Sequence, residues 1–268
     1  MMLKRTLIII ILSSCIISCD RSLNIPKTDH IILAYMGGDN NLSDEVYQKI
    51  EALKNNWTFG SNKKLFIYQD TSAETPRLLE ICLSENGRSF IKTIQVFNEE
   101  DSASPEVFSR IINQVKQHYP NALYSLVLFS HATGWLPEGK FQNLTRSILT
   151  DGDHEMELRD FARAIPDNTF ETFVFEACFM AGIEVVWELK DKAKYILASS
   201  AALVSPGFTE LYPSSFHYLV ENKIDAFARS AFTYSDSQTG WTRSATFSLI
   251  RTEPLNPLAD FLRNIIDW

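Results

Sequence analysis

Two stretches of the chain end on residues able to do covalent chemistry. Leu123-Tyr-Ser-Leu-Val-Leu-Phe-Ser130 is an apolar run followed by His131, and Phe170-Glu-Thr-Phe-Val-Phe-Glu-Ala177 is a second, followed by Cys178. A thiol attacks carbonyl carbon as its thiolate; an adjacent imidazole promotes that ionisation and later protonates the leaving amine. A backbone N–H at the corner after the strand can bind the oxyanion that forms. Plainer readings stand beside this one. Free cysteine is commonly buried and inert, and a histidine after a strand often bonds a backbone carbonyl. Cys82 could also pair with Cys178 as a disulfide.

The elements that position these residues follow from periodicity. Both runs read as strands buried on two faces, and such strands deliver their last side chains to the C-terminal edge of a parallel sheet. His30–Met36 is another such strand. Gly37-Gly-Asp-Asn-Asn41 closes it, and a helix with an acidic first turn runs from Ser43 to about Asn55. The two glycines continue into neither GxGxxG nor GK[ST], which excludes a nucleotide-binding loop. Further strands are expected at Lys63–Gln69, at 76–83 and 90–97 as a hairpin around Asn86-Gly87, at Lys194–Ser199 and at 244–250. Helices are expected at 104–118, Met156–Ile165, from Cys178 to about Asp191, and at 213–221, 224–234 and 256–267. Ala132–Thr150 reads as a long loop. This alternation predicts an α/β fold, a three-layer α/β/α sandwich around a mainly parallel sheet, in one domain over residues 30–268. The helical pattern is still running at Trp268, which reads as a chain shortened at its C-terminus.

Composition narrows the function. The 268 residues are 45% hydrophobic with a net charge of −8, and no basic block occurs beyond the N-terminus. Nucleic acid is thereby excluded as a partner, because phosphate neutralisation needs clustered basic charge. Lys4 and Arg5 precede the apolar stretch Thr6–Ile17, too short for the roughly 20 residues that span a bilayer, so residues 1–18 read as a secretory signal peptide. Ile16-Ile-Ser-Cys19 has the pattern of a bacterial lipobox, which makes Cys19 the lipidated residue and 19–29 a tether. An ordinary signal with a chance cysteine is the alternative. On the lipobox reading the protein is exported and anchored to a bacterial envelope membrane. Cys82 and Cys178 then remain in the body of the fold, too few for a disulfide framework.

Ser130-His-Ala-Thr-Gly-Trp135 and Phe175-Glu-Ala-Cys-Phe-Met180 resemble the paired signatures of the clostripain (C11) family of clan CD cysteine peptidases. Tyr35-Met-Gly-Gly-Asp-Asn-Asn-Leu42 is similar to that family's first strand and turn, and Ser199-Ser200 through Ser205-Pro-Gly-Phe208 to the segment that helps build its S1 pocket. The resemblance implies a caspase/gingipain-like fold and endopeptidase activity on protein or peptide substrates, after Arg or Lys. It implies Cys178 as nucleophile, His131 as general acid/base, and the N–H groups of Ala132 and Cys178 as oxyanion hole. Glu176, Ser199 and Ser200 would bind substrate, with Glu176 holding the basic P1 side chain; its plainer role is a strand-end charge satisfied by backbone amides. Arg146, in the loop after His131 with Lys140, would be a self-processing site, or else an ordinary exposed arginine. No cofactor is expected. Calcium occurs in the family, and Asp151-Gly-Asp-His-Glu155 offers oxygen ligands without the spacing of an EF-hand. Two positions depart from the family pattern. Ala132 replaces the usual Gly, and Glu176 is one methylene longer than the usual Asp. Ala132 and the shortened C-terminus support a competing class, a non-catalytic surface lipoprotein of the same fold that binds peptide or glycan.

Overall fold

Strands that alternate between two apolar layers organise the protein. In the computed structural model, which describes residues 28–134 and 147–266, the first strand β1 (His30–Gly38) is buried along its whole length. Ile31, Leu33 and Tyr35 point into one apolar cluster, Ile32, Ala34 and Met36 into the other, as the period of two along a strand requires.

The chain continues through α1 (Ser43–Asn55), β2 (Lys63–Thr71), β3 (Glu74–Leu83), β4 (Ser89–Val96), α2 (Pro105–His118), β5 (Leu123–Phe129), β6 (Ser147–Asp151) and β7 (His154–Glu157). It then forms α3 (Leu158–Ala164), β8 (Phe170–Glu176), α4 (Ile183–Leu189), β9 (Ala193–Ala198), α5 (Tyr212–Val220), α6 (Ile224–Asp236), β10 (Ser248–Arg251) and α7 (Leu255–Ile266). The main sheet has the order β10-β9-β8-β5-β1-β2-β3-β4. Its central strands β9, β8, β5, β1 and β2 are parallel, and its two edges are antiparallel. Phe108 of α2, Phe161 of α3 and Val185 of α4 cover one face. Val46 and Ile50 of α1, Phe216 of α5 and Phe227 of α6 cover the other. The three-layer α/β/α sandwich expected from the sequence is the architecture observed.

The structure corrects the reading of 132–150 as loop. Its end, Ser147–Asp151, is a fully buried strand paired antiparallel with His154–Glu157. Five residues are too few for periodicity to register, and the polar partner strand had been absorbed into the start of α3, which begins two residues later than expected. This hairpin clamps the segment around His131. The Thr133 N–H donates to Ser147 O (2.9 Å), the Ser147 N–H to Thr133 Oγ1 (2.9 Å) and the Thr150 N–H to Ser130 Oγ (3.1 Å).

From β1 the chain moves to β2 on one side, whereas from β5 it moves towards β8 on the other, so a crevice opens at the C-terminal edge between β1 and β5. Phe129 of β5 is level with Glu176 of β8 in the parallel register. His131 and Cys178 each lie two residues beyond that matched pair, hence at the same edge.

Asp70, near the end of β2, is fully buried. Burial above all, helped by the nearby carboxylates of Asp151 and Asp39 and opposed by a hydrogen bond with Ser102, pushes its pKa up to about 8. The fold therefore holds a proton that an unfolded chain releases near about 3.9. Because the folded value is the higher one, the stability linked to this proton is complete below the unfolded pKa and is lost as pH rises through about 8. Asp70→Asn lacks this titration, so its melting temperature relative to wild type should rise between about pH 5 and about pH 8.5. An equal difference at both values in thermal unfolding would show that Asp70 is ionised in the fold.

Candidate active site

Three segments meet at the crevice: the turn after β1, the segment after β5 and the corner after β8. They line a cavity of about 200 Å³ that includes Asn41, Glu45, His131, Glu176 and Cys178. The turn after β1 is held by its own asparagines and by the hairpin. The Leu42 N–H donates to Asn40 Oδ1 (2.9 Å) and the Gly152 N–H to Asp39 O (2.8 Å).

His131 Nε2 lies 2.7 Å from Asn41 Oδ1. A carboxamide oxygen only accepts, so this contact places the imidazole hydrogen on Nε2 and leaves Nδ1 as the basic lone pair. Asn41 was missed in the sequence as a site residue. Its signal was a run of polar side chains at the C-terminal end of a buried strand, beside the point where strand order reverses. Burial pushes His131 below the ordinary imidazole value of about 6.5, against a smaller upward pull from the Glu45 carboxylate. Cys178 Sγ donates to Leu203 O at 3.6 Å, and burial pushes the thiol pKa up. At neutral pH the pair therefore consists of a neutral imidazole and a neutral thiol.

The backbone after each residue is shaped tightly. Phe179 has φ +61°, a left-handed conformation that a non-glycine residue adopts at a cost. Gly134, at φ +66°, passes so near that a Cβ there would lie 2.4 Å from Phe179 O; only glycine fits. Ala132 lies outside the left-handed region, so its Cβ imposes no strain where the family usually has glycine. Among the described residues, neither the Ala132 N–H nor the Cys178 N–H donates a hydrogen bond within the chain.

The three residues expected to bind substrate are all engaged within the fold. Glu176 lines the cavity but is 3% exposed. Its Oε1 accepts from Lys49 Nζ (2.6 Å) and from the Phe208 N–H, and its Oε2 from the Tyr212 hydroxyl (2.7 Å). A resident lysine thus stands where a basic P1 side chain was expected. Gly207 is required beside it, since a Cβ there would meet Glu176 Oε1 at 2.3 Å. Ser199 and Ser200 do not line the cavity. Ser199 Oγ accepts from the Ala201 N–H (3.1 Å) and Ser199 O from the Ala181 N–H (3.0 Å), while Ser200 Oγ bonds Thr246 Oγ1 (3.0 Å). Ser199 braces the corner after Cys178, and the cavity is lined on this side by Leu203, Val204, Ser205 and Gly207.

Cys82 and Cys178 are both free thiols, so the disulfide alternative does not hold. The acidic turn Asp151–Glu155 is partly engaged within the fold. The Asp151 carboxylate accepts from the Ser102 N–H and His154 turns to Asp101 (3.0 Å). Among the described residues, no three His, Cys, Asp or Glu side chains converge to hold a metal. Cys19, Lys140 and Arg146 lie outside the described residues, and no described helix is long and apolar enough to cross a membrane.

The clostripain family (Peptidase C11) model matches residues 34–266. The chain belongs to the clostripain family. It is accordingly a cysteine-type peptidase. Solved structures agree with this assignment. An inactive zymogen C11 protease from Parabacteroides distasonis is 30% identical with a TM-score of 0.75, the match covering 90% of this chain and 67% of that one. A secreted C11 cysteine protease from Bacteroides thetaiotaomicron, in complex with an irreversible peptide inhibitor, shares the fold at 22% identity and a TM-score of 0.76, over 89% of this chain and 70% of that one. Iotapain, a secreted C11 cysteine protease from the same organism, does so at 23% and 0.77, over 90% and 71%. Among curated protein sequences, none matches the chain.

For this clostripain-family chain the resting charge state is measurable. Alkylation of Cys178 by iodoacetamide, followed by mass spectrometry of its peptide, should accelerate only above the ordinary thiol value of about 8.5. A titration between about pH 6 and about pH 7 would instead reveal a resting thiolate–imidazolium pair.

Proposed function

We propose that the protein is an exported, membrane-anchored cysteine endopeptidase that cleaves after basic residues through Cys178 and His131. One observation carries the catalytic part: His131 and Cys178, each two residues past a matched strand pair, line a single crevice. In the proposed sequence, substrate displaces the thiol from Leu203 O, and His131 Nδ1 takes the Sγ proton. Sγ attacks the scissile carbonyl carbon, and the carbonyl π pair moves to oxygen, facing the Ala132 and Cys178 N–H groups. Collapse of this intermediate breaks the C–N bond. His131 returns the proton to the departing amine, leaving a thioacyl enzyme. Water, deprotonated by the same ring, attacks the thioester and releases the acid and the thiol. Asn41 keeps Nε2 protonated throughout, so that Nδ1 alone exchanges the proton.

The preference for basic P1 side chains is supported by the charge of the crevice. Lys49 and Glu176 neutralise each other, and Glu45 adds a further carboxylate. Anchoring is supported by the sequence Ile16-Ile-Ser-Cys19 and self-processing by Arg146, which immediately precedes β6.

Cys178→Ala and His131→Ala should each lower kcat/KM on a fluorogenic Arg-P1 peptide by on the order of 10³-fold or more, with unchanged melting temperature. A folded Cys178→Ala variant with full activity would exclude this mechanism. Cys19→Ala should move the protein from the detergent phase to the aqueous phase in a phase-partition assay; unchanged partitioning argues against lipidation. A new N-terminus at Ser147 should form on incubation of wild type and be absent in Cys178→Ala.

A further inference from the structure

The carboxylate expected to hold P1 is already matched inside the fold, which leaves the selectivity of the crevice to be assigned. An ammonium group has three hydrogens to donate. Those of Lys49 go to Glu176 Oε1 (2.6 Å), Thr209 Oγ1 (2.8 Å) and Pro206 O (3.0 Å), and the same ammonium lies 4.3 Å from the centre of the Phe129 ring. Its side chain is 0% exposed. Nothing remains for Glu45, one helical turn earlier, whose Oε2 stands 3.9 Å from Lys49 Nζ without a hydrogen bond. Among the described residues the Glu45 carboxylate makes no hydrogen bond at all. Yet it lines the same cavity as Cys178 and His131, is 16% exposed, and lies near enough to His131 to raise its pKa.

The charges on the cavity wall therefore sum to one surplus negative charge, and that charge sits on Glu45. We propose that Glu45 of α1, rather than Glu176 of β8, is the carboxylate that selects P1, and that the group it takes is the guanidinium of arginine. This inference rests on the peptidase reading above and names the determinant of its specificity. The Glu45 carboxylate has two oxygens without hydrogen-bond donors that can accept in parallel, which matches the planar fork of a guanidinium better than a point-charged ammonium. Phe129 and Glu176 line the same cavity. The added positive charge of P1 is balanced by Glu45 alone.

The test compares Arg-P1 with citrulline-P1 fluorogenic peptides, which are close in shape and differ in charge. Wild type should favour arginine by roughly 100-fold in kcat/KM, the range expected when one charge-assisted contact is lost. Glu45→Gln should bring the ratio close to parity, and Glu45→Asp should retain a clear preference for arginine. The ratio is the informative quantity, because Glu45 also bears on His131 and its removal lowers both rates. As a measurement independent of turnover, agmatine should protect Cys178 from iodoacetamide in wild type and not in Glu45→Gln. Retention of the arginine preference and of agmatine protection in Glu45→Gln overturns the assignment. Wild type that cleaves both peptides equally overturns it as well, leaving the peptidase reading in place. Wild type that cleaves neither removes the peptidase reading and the assignment together.

Discussion

The ion pair between Lys49 and Glu176 is the contact on which the site depends. It is buried on both sides and joins three parts of the chain: α1, the end of β8, and the segment 206–212 through Pro206 O, Thr209 Oγ1, the Phe208 N–H and the Tyr212 hydroxyl. Two charges taken out of water gain little net stability even when well paired, yet removing one partner alone costs about 3–5 kcal/mol because the other is left uncompensated. Such a pair enforces position more than it adds stability. Here it fixes how far α1 stands from the edge of the sheet, and with it where Asn41 and Glu45 face the crevice. It also fixes the wall formed by Leu203 to Gly207. A Glu176 that is a methylene longer than the usual aspartate reaches into this network and is held there.

Around that pair the crevice follows from sheet geometry. Parallel strands in register carry His131 and Cys178 equal distances past the matched residues Phe129 and Glu176. The β6–β7 hairpin clamps the first of these segments, and the segment after β9 braces the second through Ser199 O and Ala201 O. The left-handed Phe179 turns the chain directly after the thiol, and Gly134 makes room for it. Strain is concentrated next to the residues expected to react, where it is outweighed by a rigid sheet. The same burial raises the thiol pKa and lowers that of the imidazole, which favours an uncharged resting pair.

How much of this was legible in the chain depended on the range of the interaction. The buried strands were visible as uninterrupted apolar runs, and their alternation with amphipathic helices dictated the layered fold. His131 and Cys178 stood out because each closes such a run, and the motifs around them supplied the family. The hairpin was invisible because β6 is short and its partner is polar. Ser199 and Ser200 were expected at the substrate site from the resemblance of their segment alone, and sequence could not show that Ser199 Oγ and Ser200 Oγ bond within the fold.

The sequence by itself determined the periodicities, the order of the elements, and the two chemically competent residues at strand ends, since these rest on neighbours along the chain. Only the tertiary structure decided which charges are free. Nothing near Glu176 in sequence announces that a lysine 127 positions earlier neutralises it. Nor does anything near Asn41 announce that it meets an imidazole 90 positions later. Whether a carboxylate binds substrate or closes a fold depends on the partner that folding brings to within about 3 Å of it, the range of a hydrogen bond, and that partner is fixed by packing between layers.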